Sequence, residues 1–146
     1  MVIISFYFGM CDNLIVTAME QDKINLLIED LSARLPYGVR IDLNGIKGTL
    51  HNIYVHHRYE GNQICKLIGE IDFFNDGNLI NVEHFKPCLI PLSNITKEQE
   101  NEFKKLSGLR EFPNTEIIKW CYENHIDIKG LIPLDLAIDA TNLDIY

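Results

Sequence analysis

Histidine is the residue type in this chain best suited to acid–base or metal chemistry, because its pKa lies near neutrality. Five histidines occur, namely His51, His56, His57, His84 and His125. In a strand over residues 51–57, His51 and His57 would share a face with Ile53 and Val55, but they would lie about 20 Å apart. Zinc sites need closely spaced ligands. The spacing therefore predicts no metal site.

A histidine could also act together with residues of another strand in the sheet. Such a cross-strand arrangement would bring His56 to Glu83 or His84, which follow each other directly in the sequence. These three residues form the candidate polar site of an alternative hypothesis. In that hypothesis the protein binds a small molecule, or acts as an enzyme, in a cleft between a sheet and C-terminal helices.

Signatures of covalent catalysis and of phosphate binding are missing from the sequence. It contains no G-x-S-x-G elbow and no glycine-rich phosphate loop. Cys88 lies four residues from His84, too far along a strand for a Cys–His pair. Glu70 and Asp72 are expected on the solvent face of a strand. We therefore predict no catalytic residue and no cofactor, which favours a protein that is not an enzyme.

Tyrosine and arginine recur around two predicted turns, and both residue types are enriched at binding hot spots. The candidate binding residues are Arg34, Tyr37, Arg40, Tyr54, Arg58 and Tyr59. The alternative interpretation is structural, because tyrosine rings also cover the open end of a sheet core.

The composition is typical of a soluble globular protein. A length of 146 residues, with 47% hydrophobic and 23% charged residues, suits a single domain. The four cysteines are widely separated, as expected for reduced thiols in the cytoplasm. The formal charge of −8 argues against nucleic-acid binding, which needs clustered basic residues. We expect a protein partner and no membrane contact.

Residues 1–18 are apolar and of uncertain status. They lack the positive charge of a signal peptide, and Asp12 interrupts a run too short to span a membrane. Either they form two short strands around a turn at residues 11–13, or they extend upstream of a natural start at Met19. The predicted domain is residues 19–146.

The middle of the chain predicts a helix followed by a sheet. Helical spacing of apolar residues covers Asp22 to Leu35, with Asp22 as N-cap and Glu29 and Asp30 facing away from the apolar stripe. Asn44-Gly45 predicts a tight hairpin between residues 39–43 and 46–57, with a bulge or bend at Gly48. Further strands are expected at 64–73, at 79–85 and, at an edge, at 89–92.

The last third predicts helices. Thr96 and Gln99 form a capping-box pattern before a helix to Leu106. A second helix is expected from Pro113 to about 124, with Trp120 away from the centre of its buried stripe. A short helical turn is expected near 134–140. The predicted fold is α+β, with an N-terminal helix, a four- to five-stranded antiparallel meander or small curled barrel, and two or three C-terminal helices.

Three segments resemble a known family. They are DLSARLPYGVRI (30–41), FKPCLIPLSNITKEQ (85–99) and WCYENHIDIKGLIPLDLAIDA (120–140). In this order they are similar to segments of a family of small proteins, without an assigned activity, from gut Bacteroidales bacteria, their mobile elements and their phages. Ile95, Ile126 and Lys129 stand where the family often has Met, Phe and Arg. The resemblance implies a phage or prophage accessory protein, and we predict a non-enzymatic protein-interaction module.

Overall fold

The structure, a computed structural model, describes residues 2–3, 18–57, 64–73, 76–108 and 115–146. The chain divides into two units, Met1–Lys86 (the sheet unit) and Pro87–Tyr146 (the C-terminal unit). The helices and strands are β1 (Val2–Ile3), α1 (Ala18–Arg34), β2 (Arg40–Leu43), β3 (Ile46–His57), β4 (Ile64–Phe73), β5 (Asp76–Asn81), β6 (Lys86–Leu89), α2 (Lys97–Ser107), α3 (Thr115–Glu123) and β7 (Ile138–Asp139).

Helix α1 confirms the predicted N-terminal helix but begins earlier. Its first residue is Ala18, so Asp22 lies within the helix and is not its N-cap. Leu27 and Leu31 are buried, as the apolar spacing predicts. The helix ends at Arg34 in a 3-10 turn that contains Pro36, and Gly38 then takes a left-handed φ of 66°.

The hairpin between β2 and β3 is formed as predicted. Asn44 and Gly45 both have positive φ, 50° and 93°, as a type I′ turn requires. Gly48 stays in regular register opposite Ile41, so the expected bulge there is wrong. An added Cβ at Gly48 would lie 2.8 Å from the backbone oxygen of Asp72. The glycine is therefore needed for close strand packing.

In the sheet unit, the strands follow the order β5-β4-β3-β2 and each neighbouring pair is antiparallel. Strand β1 runs parallel to β3 beside Tyr54 and Val55. The strand order does not close on itself. The antiparallel meander is thus confirmed, as an open sheet rather than a curled barrel.

Strand β3 carries a bulge at His51. Leu50 pairs with Ile71 and Asn52 pairs with Glu70, so His51 is an extra residue between them. An extra residue resets which side chains face the core. Leu50 and Ile53, three positions apart, are both buried. They lie on the face that packs against α1.

Strand β5 starts and ends earlier than predicted. It covers Asp76–Asn81, and Val82–His84 form a 3-10 turn capped by the Asn81 side chain. Phe85 then returns to the core, where its ring fills the space in which Gly69 has no Cβ. This turn takes the chain away from the sheet immediately after Asn81.

Helix α3 carries most of the buried cluster of the C-terminal unit, and α2 packs against it with the partly buried Phe103 and Leu106. The predicted capping box is confirmed, because Thr96 Oγ1 accepts from the Gln99 N–H while Gln99 Oε1 accepts from the Thr96 N–H. Trp120, expected away from the centre of the buried stripe, is a member of the buried cluster and packs at a tilt against Phe103. The buried cluster consists of Ile117, Trp120, Cys121 and Ile126.

The C-terminal residues are irregular chain with brief strand pairing. The expected helical turn at 134–140 is wrong, since β7 lies there and runs parallel to β6. The β6 segment is not an edge, because Leu89 accepts from the Ala140 N–H while Ile90 exchanges hydrogen bonds with His125 and Asp127. Among the residues that the structure describes, none of the helices is long and apolar enough to cross a membrane.

Candidate functional site

Arg34 is not part of a surface patch, contrary to the expected exposed tyrosine–arginine cluster. Its exposed fraction is 0%, as is that of Asp30, one helical turn earlier. The guanidinium binds the Asp30 carboxylate with two hydrogen bonds, Nε to Oδ2 at 2.7 Å and Nη2 to Oδ1 at 3.1 Å. The prediction that Asp30 faces away from the core is therefore also wrong. A bidentate pair satisfies charges that burial would otherwise make costly.

Arg40 and Tyr54 do lie on the sheet face opposite α1, here called the outer face. Arg40 Nη1 donates to Thr49 Oγ1 at 2.7 Å, and Tyr54 donates to Glu70 Oε2 at 3.3 Å. Tyr54 is five residues beyond Thr49 on β3, so about 15 Å of strand separates the two groups. The structure does not bring them together as one binding cluster.

The other members of that predicted cluster contribute less. Tyr37 is half-buried in the 3-10 turn that follows α1. Arg58 and Tyr59 lie outside the described residues. Whether any of the six residues binds a partner stays a prediction.

The alternative polar site is spread over separate segments. His56 is half-buried on β3 and pairs across the sheet with Lys66 of β4. Glu83 and His84 are exposed in the turn after β5, which lies on the far side of β4. Two strand spacings already amount to roughly 10 Å. The sheet therefore keeps His56 apart from Glu83 and His84.

Polar side chains on the outer face are bound to one another in cross-strand pairs. Besides the pairs made by Arg40 and Tyr54, Lys47 binds the Asp42 carboxylate. His51 Nε2 lies 3.1 Å from Asp72 Oδ2. The bulge explains this contact, because it turns His51 away from the face of Ile53 and Val55 on which strict alternation predicts it. These pairs suit a stable solvated face more than a site awaiting substrate.

Metal-binding and thiol chemistry find no support in the described part of the chain. No group of three or more His, Cys, Asp or Glu residues there is arranged to hold a metal ion. The side chains of Cys88 and Cys121 are buried, with an exposed fraction of 0%. Neither is reachable by a reactant from solvent.

The free side of β5 is the most distinctive surface of the sheet unit. Within the described ranges, β5 is the last strand of the order β5-β4-β3-β2 and pairs with β4 alone. Leu79 is 64% exposed at its centre. The strand DGNLIN contains neither proline nor a basic residue, two features that commonly protect strand edges. This surface was not among the predictions from sequence, although the apolar pair Leu79-Ile80 between two asparagines in a short strand is a readable signal.

The C-terminal unit has a cluster of its own around β6. The His125 and Tyr146 rings stack with centroids 3.6 Å apart, and the Tyr146 hydroxyl donates to the Cys88 carbonyl oxygen at 2.6 Å. Asp127 is buried and accepts from the N–H groups of Leu131 and Ile132 at 2.8 and 2.9 Å. The Asp127 bonds hold irregular backbone in place, and the Tyr146 hydroxyl bond ties the C-terminal residue to β6.

One pKa in this region is shifted by local structure. The Thr141 hydroxyl and backbone N–H both donate to Asp139 Oδ1. These bonds favour the charged form and hold the pKa of the Asp139 carboxyl below its ordinary value. The bonds close a turn directly after β7, so this carboxylate has a structural task.

Comparison with protein-family models, with curated proteins and with solved structures gives no match to this chain. The resemblance to the Bacteroidales and phage family therefore stays a prediction. The assignment of function depends on the geometry described above.

Proposed function

We propose that this chain is a non-enzymatic protein-interaction module that binds a partner segment along the free side of β5. The observation that carries the proposal is a strand that pairs with β4 alone among the described residues and has a large exposed apolar residue, Leu79, at its centre. A strand with one free side offers backbone N–H and C=O groups to an extended segment. Such strand addition is a common mode of peptide recognition.

The rest of the sheet unit supports binding over catalysis. Within the described residues, carboxylates, histidine and tyrosine of the outer face are engaged in cross-strand pairs. His56, Glu83 and His84 lie on separate segments, and no observation favours the small-molecule or enzyme hypothesis. The family resemblance adds the proposal that the module serves a phage or mobile element in the cytoplasm.

A displayed library of random twelve-residue peptides tests this function. Wild-type protein as bait should enrich peptides over bare support. The Leu79→Lys variant should bind the enriched peptides at least tenfold more weakly, because it removes the apolar contact and adds a charge to the strand edge.

Ile46→Lys is the matched control. Ile46 is 49% exposed and begins β3 in the same unit, but it lies beside the β2 hairpin rather than on the free side of β5. It should bind the enriched peptides like wild type. Failure to enrich any peptide, or equal loss of binding in both variants, would contradict the proposal.

A further inference from the structure

We infer that the partner segment of β5 carries a lysine or arginine beside Gly77 and an apolar residue beside Leu79. The inference rests on the proposed function and names the chemistry of its ligand. It follows from three features of the sheet: the alternation along β5, the position of the Glu70 carboxylate, and the charge around the strand edge.

Alternation places Gly77, Leu79 and Asn81 on the outer face of β5. Their partners on β4 are Asp72, Glu70 and Ile68, in that order. Glu70 and Asp72 also face Tyr54 and His51, which confirms that they lie on the outer face. A strand added beside β5 would therefore have an apolar position next to Leu79 and, two residues away, a position next to a glycine backed by carboxylates.

Gly77 leaves the Glu70 carboxylate open to the strand edge. A Cβ built on Gly77 would lie 3.6 Å from Glu70 Oε1 and 3.9 Å from its Cγ. The Glu70 side chain therefore extends across Gly77 towards the free side of the sheet. Tyr54 donates to the other oxygen, Oε2. Any side chain at position 77 would separate this carboxylate from an added strand.

A lysine or arginine on the added strand has the length to use this opening. Neighbouring strands lie about 4.8 Å apart, so the added strand would be about 10 Å from β4. A long cationic side chain reaching over Gly77 would meet the Glu70 carboxylate near the middle of that distance. Asp72 pairs directly with Gly77 and adds a second negative charge beside this position. Its Oδ1 is buried and has no hydrogen-bond partner among the described residues.

Leu79 determines which residue is favoured beside it on the partner strand. Its exposed side chain gains most from an apolar or β-branched residue directly across the new strand pair. In an antiparallel addition the partner would read apolar-x-basic from N- to C-terminus. In a parallel addition the order would be basic-x-apolar.

Charge argues against a second copy of this chain as the occupant. Two β5 strands paired antiparallel about Leu79 would place Asp76 of each copy near the segment of Val82 and Glu83 of the other. Each copy has a formal charge of −8. Self-pairing would also place Asn81 of the other copy beside Gly77, which offers Glu70 no positive charge, whereas a basic peptide compensates it.

Synthetic peptides test the inference directly. The probe is a ten-residue threonine host peptide, acetylated and amidated, with one Ile-Thr-Lys unit. Its matched versions replace Lys by norleucine or by Glu, and a further version reverses the unit to Lys-Thr-Ile. Fluorescence anisotropy should show the Lys peptide, in its preferred order, binding about tenfold more tightly than the norleucine peptide and losing that advantage at high salt.

Variants of the protein assign the charge effect to one carboxylate. Glu70→Gln should weaken binding of the Lys peptide about tenfold and leave the norleucine peptide unchanged. Glu98→Gln, on the exposed face of α2, removes the same charge elsewhere and should change neither. Glu70→Lys should reverse the preference in favour of the Glu peptide.

The outcomes separate this inference from the proposed function. Display could enrich peptides whose binding depends on Leu79 but which show no preference for lysine or arginine. If Glu70→Gln then also leaves peptide binding unchanged, the inferred chemistry of the partner is wrong while the proposed binding function stands. If no peptide binds, both fail. A concentration-dependent dimer in analytical ultracentrifugation that Leu79→Lys abolishes would replace the peptide by a second copy.

Discussion

The two units of this protein satisfy their backbone hydrogen bonds in different ways. In the sheet unit, long antiparallel ladders satisfy them. The ladder of β3 and β4 runs from the pair of Thr49 and Asp72 to the pair of His57 and Ile64. In the C-terminal unit, strand pairing is brief and side chains complete the task. Asp127, Thr96, Asn124 and Tyr146 each bond to backbone groups.

This difference predicts where the molecule tolerates change. Ladder hydrogen bonds do not depend on side-chain identity, so the outer face of the sheet can vary, and a strand edge remains for binding. Where a single side chain holds irregular backbone, the backbone conformation depends on the type of that residue. The sheet unit also contains a pair that depends on residue type, the buried Asp30 and Arg34, and this pair provides the strongest test.

Arg34→Met should destabilise the protein most, by about 3–5 kcal/mol. The change removes the guanidinium from a carboxylate that is itself fully buried. Urea denaturation measures the free energy of unfolding. The double variant Asp30→Leu/Arg34→Met is the control, and it should recover most of the loss because no buried charge remains. A single variant as stable as wild type would show that the pair is dispensable.

Asp127→Asn should cost about 2 kcal/mol, because an amide keeps one acceptor oxygen for two N–H donors, one buried and one partly buried. Amide hydrogen exchange should accelerate at Leu131 and Ile132, the two donors. Glu123→Gln, an exposed acid at the end of α3, is the control and should leave both exchange rates unchanged. Unchanged exchange in Asp127→Asn would mean that other contacts hold this loop.

Removing one hydroxyl from each unit compares them directly. Tyr146→Phe should cost about 1 kcal/mol, because it removes a hydrogen bond to the carbonyl of the buried Cys88. Tyr54→Phe removes the longer bond to Glu70 on the outer face and should cost less than about 0.5 kcal/mol. Thermal and urea unfolding of both variants give the comparison. Equal costs would contradict the distinction between ladder and side-chain anchoring.

Thr141→Ala should have the smallest effect. Loss of the hydroxyl donor should raise the pKa of Asp139 towards its ordinary value, which an NMR pH titration measures. Because the folded-state pKa is lowered, the stabilising contribution is present above the unfolded pKa, about 4, and is lost as pH falls through the folded pKa. The stability difference between wild type and variant should therefore narrow in acid. Thr141→Ser keeps the hydroxyl and should keep the lowered pKa.

The fold was predictable where local signals agree with tertiary structure. The Asn44-Gly45 turn, the Thr96 capping box and strand β4 follow from residue type and spacing. The C-terminal residues were not predictable. Strand β7 is two residues long and exists through its pairing with β6, a contact between segments about 50 positions apart, which local propensity does not encode.

The candidate site was less predictable than the fold. Arg34 lies three residues after the buried Leu31, on the apolar spacing of α1, but an arginine is normally expected on the surface. Its buried partner Asp30, one turn away, balances its charge inside the protein. The free side of β5 depends on which strand ends the sheet, which no single residue specifies. In the sequence, Gly77 is typical of a turn. In the structure, its missing side chain leaves the Glu70 carboxylate accessible from the strand edge.

The bulge at His51 also affects how this chain tolerates the deletion of one residue. Deleting one residue from a strand ordinarily turns every following side chain to the opposite face. At His51 the outcome differs, because Leu50 and Asn52 already pair with the adjacent residues Ile71 and Glu70. Losing His51 leaves an unbroken ladder with both halves of β3 facing as before. Relatives one residue shorter are therefore expected to carry their gap at this position.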